Sequence, residues 1–475
     1  MKIYNSLSHQ NEEFNTIEEG KVRMYACGIT VSGDAHVGHA YQSIVFDMIS
    51  KYLTFRGYDV KYVRNYTDVD DKIIAKAHLL NDEPLHYAEY IMAKTDKELA
   101  ALGSAKPTVQ ARATQFIPNM IAFIQKLIDK GFAYATPEGN VYYKVAKFPE
   151  YGKLSRINWS ENWDGVRKEV EPGKLDDKDF ALWKAAKPGE ISWDTPWGKG
   201  RPGWHIECST MAMQFLGESI DIHGGGRDLV FPHHENEIAQ SEALTGKPFA
   251  HYWMHNGLLK VNGQKMSKSL NNSIFLSDLL EEYVSDTIRF ALLRTLYRSD
   301  INITDDLFPE AEKHIYRFYN ILNKINLLPE RATSADQTAA YITKMEQEFI
   351  EAMDDDFNTS EVFAKLFGWM DFMSQELIKK NSPYGLKQIA DHLKHLCTVF
   401  GILQKAPEDV ISFIKNKYLK KFEMTESEIQ SQIEQRKAYK QNKQFDLADA
   451  IRAQLAQKHI LLQDTPQGTL WDIEL

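Results

Sequence analysis

The sequence has few cysteines and no long apolar segment. Its 475 residues include three cysteines, far apart at positions 27, 208 and 397, which excludes a disulfide framework and predicts a reducing compartment. No apolar run approaches the length of a membrane span, and the first ten residues lack the basic and apolar regions of a signal peptide. We therefore expect a cytoplasmic protein without a membrane partner.

The sequence also lacks a surplus of positive charge. Its net charge of −10 excludes general binding to nucleic acid through charge alone, because phosphate contacts require clustered Lys and Arg. One local exception is "QRKAYKQNKQF" at 435–445, which contains Arg436, Lys437, Lys440 and Lys443 and no acid. A second is the lysine-rich "IKNKYLKKF" at 414–422. These stretches are either a nucleic-acid contact or a solvated helix face.

The chain is too long for one core, so several domains are expected. Strand and helix patterns alternate over 1–105 and again over 201–305, which predicts two halves of one parallel-sheet nucleotide-binding domain with its site at the carboxyl ends of the strands. The stretch 106–200, rich in Trp, Gly and Pro, is predicted to be an insertion between them. Residues 306–404 have the pattern of a helical bundle, and 405–475 form a separate, initially basic end.

The stretch "CGITVSGDAHVGHA" at 27–40 lies between a strand pattern and a helix pattern. Turns of this kind direct free backbone N–H groups and the positive end of a helix dipole at whatever lies above the sheet. His36 and His39 lie in this turn, one helical turn apart. The stretch therefore predicts an anion site.

Residues of metal-ligand type occur in three separate places. Cys27 precedes the turn, "RPGWHIECS" supplies His205 and Cys208, and "FPHHENE" supplies two histidines and two glutamates. If Pro232 opens a helix, His233 and Glu237 lie on one face of it. With the two thiols they form a set that suits Zn²⁺. The alternative is that each cysteine is buried and each histidine is hydrogen-bonded in an ordinary core.

A further polar stretch is "KMSKSLNN" at 265–272. Lys265 and Lys268, separated by small polar residues, suit a loop that neutralises phosphate charge. An exposed basic loop is the alternative interpretation. With His36 and His39 approaching from the other side, these lysines predict a phosphate clamp.

Several motifs, in order along the chain, resemble those of one family. "HVGH" at 36–39 and "KMSKS" at 265–269 resemble the two signatures of class I aminoacyl-tRNA synthetases. Together with Cys27, "NYTDVDDK" at 65–72, "GWHIECS" at 203–209 and "GGGRDLVFPHHENE" at 224–237, they resemble the cysteinyl-tRNA synthetase family from about residue 20 to the end. The resemblance implies a split Rossmann-type catalytic domain, a connective insertion, a helical bundle and a small anticodon-binding domain at 405–475.

The resemblance also implies roles for individual residues. Implied zinc ligands, one ion per chain, are Cys27, Cys208, His233 and Glu237. Implied catalytic residues are His36, His39, Lys265 and Lys268, of which His36, His39 and Lys268 would bind ATP. Implied residues of the amino-acid pocket are Thr67, Trp204, His205 and Asp228. Implied positions near the anticodon are Lys440, Phe445, Asp449 and Asp464.

The implied reaction explains these residue types. A monomeric enzyme would activate L-cysteine with ATP, accompanied by Mg²⁺, and pass it to tRNA(Cys). Zinc binds a thiolate far better than a hydroxyl, so it would select the substrate side chain and make editing of serine unnecessary. Activation needs position and charge, with no nucleophilic side chain from the protein.

Three positions depart from the family pattern. Ile29 and Ser32 stand where Pro and Tyr are usual, and Tyr41 stands where Arg is usual, which suggests altered kinetics or a specialised duplicate enzyme. Two other functions compete with the implied one. The first is a related ligase that passes activated cysteine to an amino sugar, and the second is an inactive paralogue that binds zinc or RNA.

Overall fold

The structure is a computed structural model that describes residues 1–157, 173–266, 272–329, 333–379, 381–465 and 468–475. Its strands are β1 (Lys2–Asn5), β2 (Gln10–Glu13), β3 (Lys21–Thr30), β4 (Asp59–Thr67), β5 (Val109–Arg112), β6 (Ala133–Ala135), β7 (Val141–Tyr143), β8 (Phe180–Ala185), β9 (Gly200–Pro202), β10 (Ile220–Gly226), β11 (Ala250–Asn256), β12 (Leu259–Val261), β13 (Gln264–Lys265), β14 (Ile301–Ile303), β15 (Ile460–Thr465) and β16 (Gly468–Ile473).

Its α-helices are α1 (Val37–Phe55), α2 (Asp71–Leu79), α3 (Pro84–Ala101), α4 (Ile117–Asp129), α5 (Trp204–Leu216), α6 (Glu235–Thr245), α7 (Leu276–Glu282), α8 (Ser285–Leu293), α9 (Leu307–Asn326), α10 (Ala335–Met353), α11 (Thr359–Ile378), α12 (Leu386–Cys397), α13 (Pro407–Lys421), α14 (Glu426–Gln441) and α15 (Phe445–Gln457). Among the residues that the structure describes, no helix has both the length and the apolar character that a membrane span requires.

Five parallel strands form the central sheet in the order β11-β10-β3-β4-β5. The inner strands are largely buried on both faces, as expected for a parallel sheet covered by helices. The neighbours β3 and β10 are far apart in sequence, since the predicted insertion separates them. The parallel sheet with its covering helices confirms the predicted α/β class. In such a sheet, a cleft forms at the carboxyl ends of the strands, where the strand order reverses.

The insertion contains a four-stranded antiparallel sheet in the order β6-β7-β8-β9. β5 lies beyond the predicted boundary at residue 105, yet it pairs with β4 in the central sheet. The catalytic sheet therefore extends further along the chain than the composition predicts. Lys184 of β8 and Arg201 of β9 form ion pairs with Asp71 at the start of α2. These ion pairs connect the sheet of the insertion to α2.

The helical region packs directly on the catalytic domain. One apolar core runs from the central sheet and α1 through α9–α12, and Tyr52 of α1 packs edge-on against Phe349 of α10. α13 packs on α9, where Lys417 lies 2.8 Å from the fully buried Glu312. α14, α15 and the β15–β16 hairpin follow as a small C-terminal unit. The helical region and the catalytic domain therefore share one apolar core.

Candidate active site

The predicted anion turn connects β3 to α1. His36 caps the helix, because its Nδ1 accepts a hydrogen bond from the Gly38 N–H (3.1 Å), and Nδ1 of His39 accepts one from the His36 N–H (3.4 Å). The two rings stack 3.7 Å apart. Gly38 leaves room for Met266, whose Cε would lie 3.3 Å from a Cβ at this position. Both imidazoles are thus fixed at the positive end of α1, as an anion site requires.

A cavity of about 360 Å³ lies above this turn. His36, His39 and Lys265 line it, and so do Trp204 and Asp228. Residues 256–259, from the end of β11 onward, form a further part of its wall. Lys268 lies outside the described residues. The cavity therefore brings together one part of each predicted phosphate motif and two of the predicted amino-acid pocket residues.

Four predicted metal ligands converge below the cavity. The ligand atoms of Cys27, Cys208, His233 and Glu237 all lie within 4.8 Å of one another, and all four residues are buried. Nε2 of His233 is 3.1 Å from Oε1 of Glu237, as the spacing of these two residues predicts. The α-helix itself begins at Glu235 rather than at Pro232, after a short helical turn over Val230–His234.

The protein backbone is shaped to bring the first thiol into this cluster. The pairing of β3 with β4 shifts register between Ala26 and Ile29, where Cys27 and Gly28 lie. A Cβ on Gly28 would overlap the Asn65 carbonyl oxygen, so only glycine fits there. The Asn65 side-chain oxygen accepts a hydrogen bond from the Gly28 N–H (2.8 Å) and lies 3.6 Å from the Cys208 sulfur. β4 thereby holds both thiols in place.

One imidazolium faces two ionised donors in the cluster: although burial opposes the charge, Glu237 and Cys208 raise the pKa of His233 to about 10. Burial opposes a Cys208 thiolate, but hydrogen bonds with Cys27 and His233 lower the pKa of Cys208 to about 6. Burial and the neighbouring Cys208 and Glu237 raise the pKa of Cys27 well above its usual value. Although burial opposes it, His223 and His233 hold the pKa of Glu237 well below its usual range. A bound divalent cation would compensate this buried negative charge, so the donors fit the implied metal.

A second donor set shares two members with the first. Its ligand atoms also lie within 4.8 Å of one another, in Cys27, His223, His234 and Glu237. Nε2 of His223 is 2.9 Å from Oε2 of Glu237. The first set has two sulfurs and the second has one, and a borderline-soft ion such as zinc favours thiolates. In the first set, His205 also contacts Nδ1 of His233 (3.0 Å), a second contact of the kind that orients a metal-binding imidazole.

The structure places the predicted amino-acid pocket residues around this cluster. The Trp204 ring lies 4.3 Å from the His233 ring and is 38% exposed. Thr67 is buried at the end of β4, while Asp228 lines the cavity near Gly226. Trp204 and His205 therefore adjoin the donor cluster directly, and Asp228 lines the cavity next to it.

Several polar residues at this site were not predicted. The buried Glu207 carboxylate accepts a hydrogen bond from the Thr67 hydroxyl (2.8 Å), and burial together with the nearby Cys208 raises the pKa of Glu207 well above its usual value. Lys72 and Gln42 line the cavity, and the Gln42 amide donates to the Cys27 carbonyl oxygen. Glu207 and Lys72 fall inside motifs that the sequence singles out, but nothing in those motifs distinguishes them from solvated neighbours.

Comparisons with known proteins decide the family. Residues 13–313 match the family described as tRNA synthetases class I (C) catalytic domain, and residues 348–404 match the DALR domain. The cysteine–tRNA ligase of Geobacter metallireducens is 46% identical over 487 residues, covering 100% of both chains. That of Geobacillus sp. (strain WCH70) is 45% identical over 476 residues, covering 99% of each. The chain belongs to the cysteine–tRNA ligase family.

This finding confirms the family resemblance in the sequence. A solved structure of Mycobacterium tuberculosis methionyl-tRNA synthetase bound by methionyl-adenylate has the same fold, with a TM-score of 0.62 over 82% of this chain and 93% of that one. At 13% identity it establishes the fold alone. The parallel-sheet catalytic domain followed by a DALR domain is thus the class I architecture that the motifs predict.

Two of the three departures from the cysteine–tRNA ligase pattern lie in well-packed places. Ile29 is buried in β3 and pairs with Tyr66 just after the register shift. Tyr41 is 1% exposed, and its hydroxyl donates to the Tyr297 carbonyl oxygen (2.7 Å). The third, Ser32, is half-buried, and its N–H donates to the Thr30 carbonyl oxygen. Each departure is accommodated without disturbing the donor cluster.

The predicted anticodon residues lie in the C-terminal unit of this cysteine–tRNA ligase family member. Asp464 of β15 pairs with Arg436 through two hydrogen bonds (2.7 and 2.9 Å) and with Lys440 (2.7 Å). Phe445 is 60% exposed at the start of α15, where Asp449 is also exposed. The Arg436 side chain is 2% exposed, so it is engaged within the unit and does not offer the phosphate contact that the basic stretch predicts.

Proposed function

We propose that this chain ligates L-cysteine to tRNA(Cys) in two steps. A carboxylate oxygen of cysteine attacks the α-phosphorus of ATP, the bond to pyrophosphate breaks, and cysteinyl-adenylate forms. The 3′-terminal ribose hydroxyl of the tRNA then attacks the carbonyl carbon, loses its proton, and AMP leaves. Cysteine–tRNA ligase is the activity of the family to which the chain belongs.

One observation carries this proposal: the buried donor cluster adjoins the cavity that the phosphate turn lines. Trp204 lines the cavity and touches His233, while Gln42 lines it and holds the carbonyl of Cys27. A substrate whose thiol points down to the cluster would direct its carboxylate up towards His36 and His39. Such placement of both reactants supplies most of what adenylation requires.

We propose that one zinc ion per chain is held by Cys27, Cys208, His233 and Glu237. When bound, the metal supplies a soft acceptor that favours a substrate thiolate over a serine hydroxyl. The protein excludes water from the donors, holds His233 through His205, and keeps the Cys208 thiol easily ionised. With selection of this type, a wrong substrate leaves a group of the site unpaired, which costs far more than a poor fit.

We propose that the other end of the cavity binds MgATP. His36 and His39 would contact the phosphates from the N-terminus of α1, and Lys265 of β13 also lines the cavity. Lys268 would bring a further positive charge as charge builds on the leaving pyrophosphate. Thr67, Trp204, His205 and Asp228 would position cysteine. These roles need no covalent intermediate with the protein.

We propose that the C-terminal unit reads the anticodon of the tRNA. The exposed Phe445 ring offers a stacking surface for an unpaired base, and Lys437 and Lys443 remain exposed for phosphates. Lys440 and Asp464 hold each other and would present a polar edge, with Asp449 nearby on α15. The monomeric state and the cytoplasmic location stay predictions.

The proposal is tested by ATP–pyrophosphate exchange followed by aminoacylation of purified tRNA(Cys). We expect exchange that depends on cysteine, is negligible with serine, and is followed by charging of the tRNA. Exchange without charging, with transfer to an amino sugar instead, would favour the competing ligase. Absence of exchange from folded, zinc-loaded protein would favour the inactive paralogue.

A further inference from the structure

We propose that Asp356, in the turn between α10 and α11 in the DALR-matching region, is a positioning residue for the nucleotide. It would hold the segment 297–300, which backs the cavity wall at Gly257 and Leu258. The inference rests on the proposed function, because it takes this wall as part of the ATP site. It gives the helical region a direct part in adenylation.

Segment 297–300 packs against the wall at Gly257 and Leu258. Gly257 and Leu258 line the cavity, and a Cβ on Gly257 would clash with the Ser299 carbonyl oxygen, so the two backbones are in contact. The Gly257 N–H donates to the Tyr297 carbonyl oxygen (2.8 Å), and the Leu258 N–H donates to Asp300 (2.9 Å). Any movement of segment 297–300 therefore moves the wall.

Helix α1, which begins at the phosphate turn, contacts the same segment. The Tyr41 hydroxyl donates to the same Tyr297 carbonyl oxygen (2.7 Å) that accepts from Gly257. Tyr41 is buried and lines the cavity. Tyr297 thus joins the wall to α1 from behind, so its position affects two sides of the nucleotide cavity.

Tyr297 is itself held by Asp356. Its hydroxyl donates to Oδ1 of Asp356 (3.0 Å), and Nε of Arg298 donates to Oδ2 of Asp356 (2.8 Å). The Tyr4 N–H donates to Oδ1 as well (2.9 Å). One buried carboxylate, 3% exposed, therefore fixes two consecutive residues of the segment and the N-terminal strand. Hydrogen bonds to a buried charge are stronger than those between neutral groups.

The backbone at Asp356 is specialised for this task. Asp356 and Phe357 have φ values of +56° and +52°. These values lie in the left-handed region, which residues other than glycine rarely adopt. Such conformations persist only where the surroundings hold them, and they concentrate at functional positions. The turn directs the Asp356 carboxylate inward, while Asp355, one residue earlier, is exposed.

The test compares Asp356→Asn with the matched control Asp355→Asn in the full chain. Asparagine keeps the shape but replaces one acceptor oxygen with a donor, which would face Arg298. We expect the KM for ATP in pyrophosphate exchange to rise about tenfold while the KM for cysteine changes less than about twofold, as for loss of one charged hydrogen bond. The control should match the parent chain in both constants.

Thermal unfolding and calorimetric titration with ATP complete the test. A rise in both KM values by the same factor, or in neither, in a folded Asp356→Asn variant would overturn the inference. If that variant does not fold, Tyr297→Phe decides in its place, with about a threefold weaker ATP affinity expected from one lost hydrogen bond and an unchanged affinity contradicting the inference. If the parent chain shows no exchange, the proposed function fails, and ATP titration of the same variants still decides the inference.

Discussion

The two ends of the cavity are built differently. At the cluster end, the four donors are at most 2% exposed and already contact one another. At the phosphate end, Lys72 and Lys265 are exposed and His36 and His39 are half-buried. A buried, pre-assembled site suits the choice between similar side chains, whereas exposed positive charges can stabilise the charge that develops on a leaving group. We therefore propose that the cluster end supplies selectivity and the phosphate end supplies rate.

The largest effect is expected at the phosphate end. Lys268→Ala should lower the rate of adenylation by on the order of 10² or more with a smaller change in the KM for ATP, because a transition-state contact is lost. The rate of cysteinyl-adenylate formation in a single turnover measures this effect. Lys247→Ala is the matched control, since Lys247 pairs with Glu218 at the surface. An effect confined to the KM for ATP would contradict the role assigned to Lys268.

A selective effect is expected at the cluster end. Cys208→Ser should raise the KM for cysteine by on the order of tenfold or more, with less effect on the KM for ATP, because a soft ligand is lost beside the substrate thiol. Metal content, measured on the same samples, should fall. Cys397→Ser is the control, because Cys397 is equally buried but lies in α12. Equal losses for both substrates would remove the distinction between the two ends.

A smaller effect is expected away from the cavity. Phe445→Ala should raise the KM for tRNA about fivefold, because base stacking on an aromatic ring is lost, and leave pyrophosphate exchange unchanged. Phe413→Ala, which removes another partly exposed ring on α13, should leave the KM for tRNA unchanged. If both variants behave alike in aminoacylation, Phe445 does not contact the tRNA.

The smallest effect is expected for stability of the C-terminal unit. Hydrogen bonds from Arg436, Lys440 and Thr469 hold the pKa of Asp464 well below its usual range. The unfolded chain therefore takes up the proton first, and this stabilisation is present at neutral pH and is lost as the pH falls below about 4. Arg436→Ala should cost about 1 kcal/mol at pH 7, since Asp464 is partly exposed and solvent screens the pair.

Urea unfolding of the parent chain and the Arg436→Ala variant at pH 7 and pH 3.5 measures this difference. The gap between the two proteins should narrow at the lower pH. A gap that stays constant would assign the effect of Arg436 to packing alone.

The sequence predicts those features of the site that depend on residues close together in the chain. The strand-to-helix turn at His36 and the spacing of His233 and Glu237 are local, and the structure has them as predicted. The start of α6 at Glu235 and the pairing of β5 in the central sheet depend on contacts between distant segments. Burial of Glu207 has the same cause, because only the folded sheet decides which polar residues of a motif face inward.

The C-terminal unit illustrates the same limit. A run of lysines and arginine predicts a phosphate surface, but Arg436 turns inward to Asp464, which is 28 residues further along the chain. The pairing depends on how the hairpin β15–β16 packs, and composition does not report it. A charged residue in a basic stretch is thus a phosphate contact only if the fold leaves its side chain exposed.

The most direct test of the account is X-ray absorption at the zinc edge of the purified, metal-loaded protein, with elemental analysis. We expect one zinc per chain with two sulfur ligands, from Cys27 and Cys208, and one additional sulfur when L-cysteine is added but none with serine. A single sulfur without substrate would indicate the donor set with His223 and His234. No change on adding cysteine would contradict the claim that the buried cluster selects the substrate by its thiol.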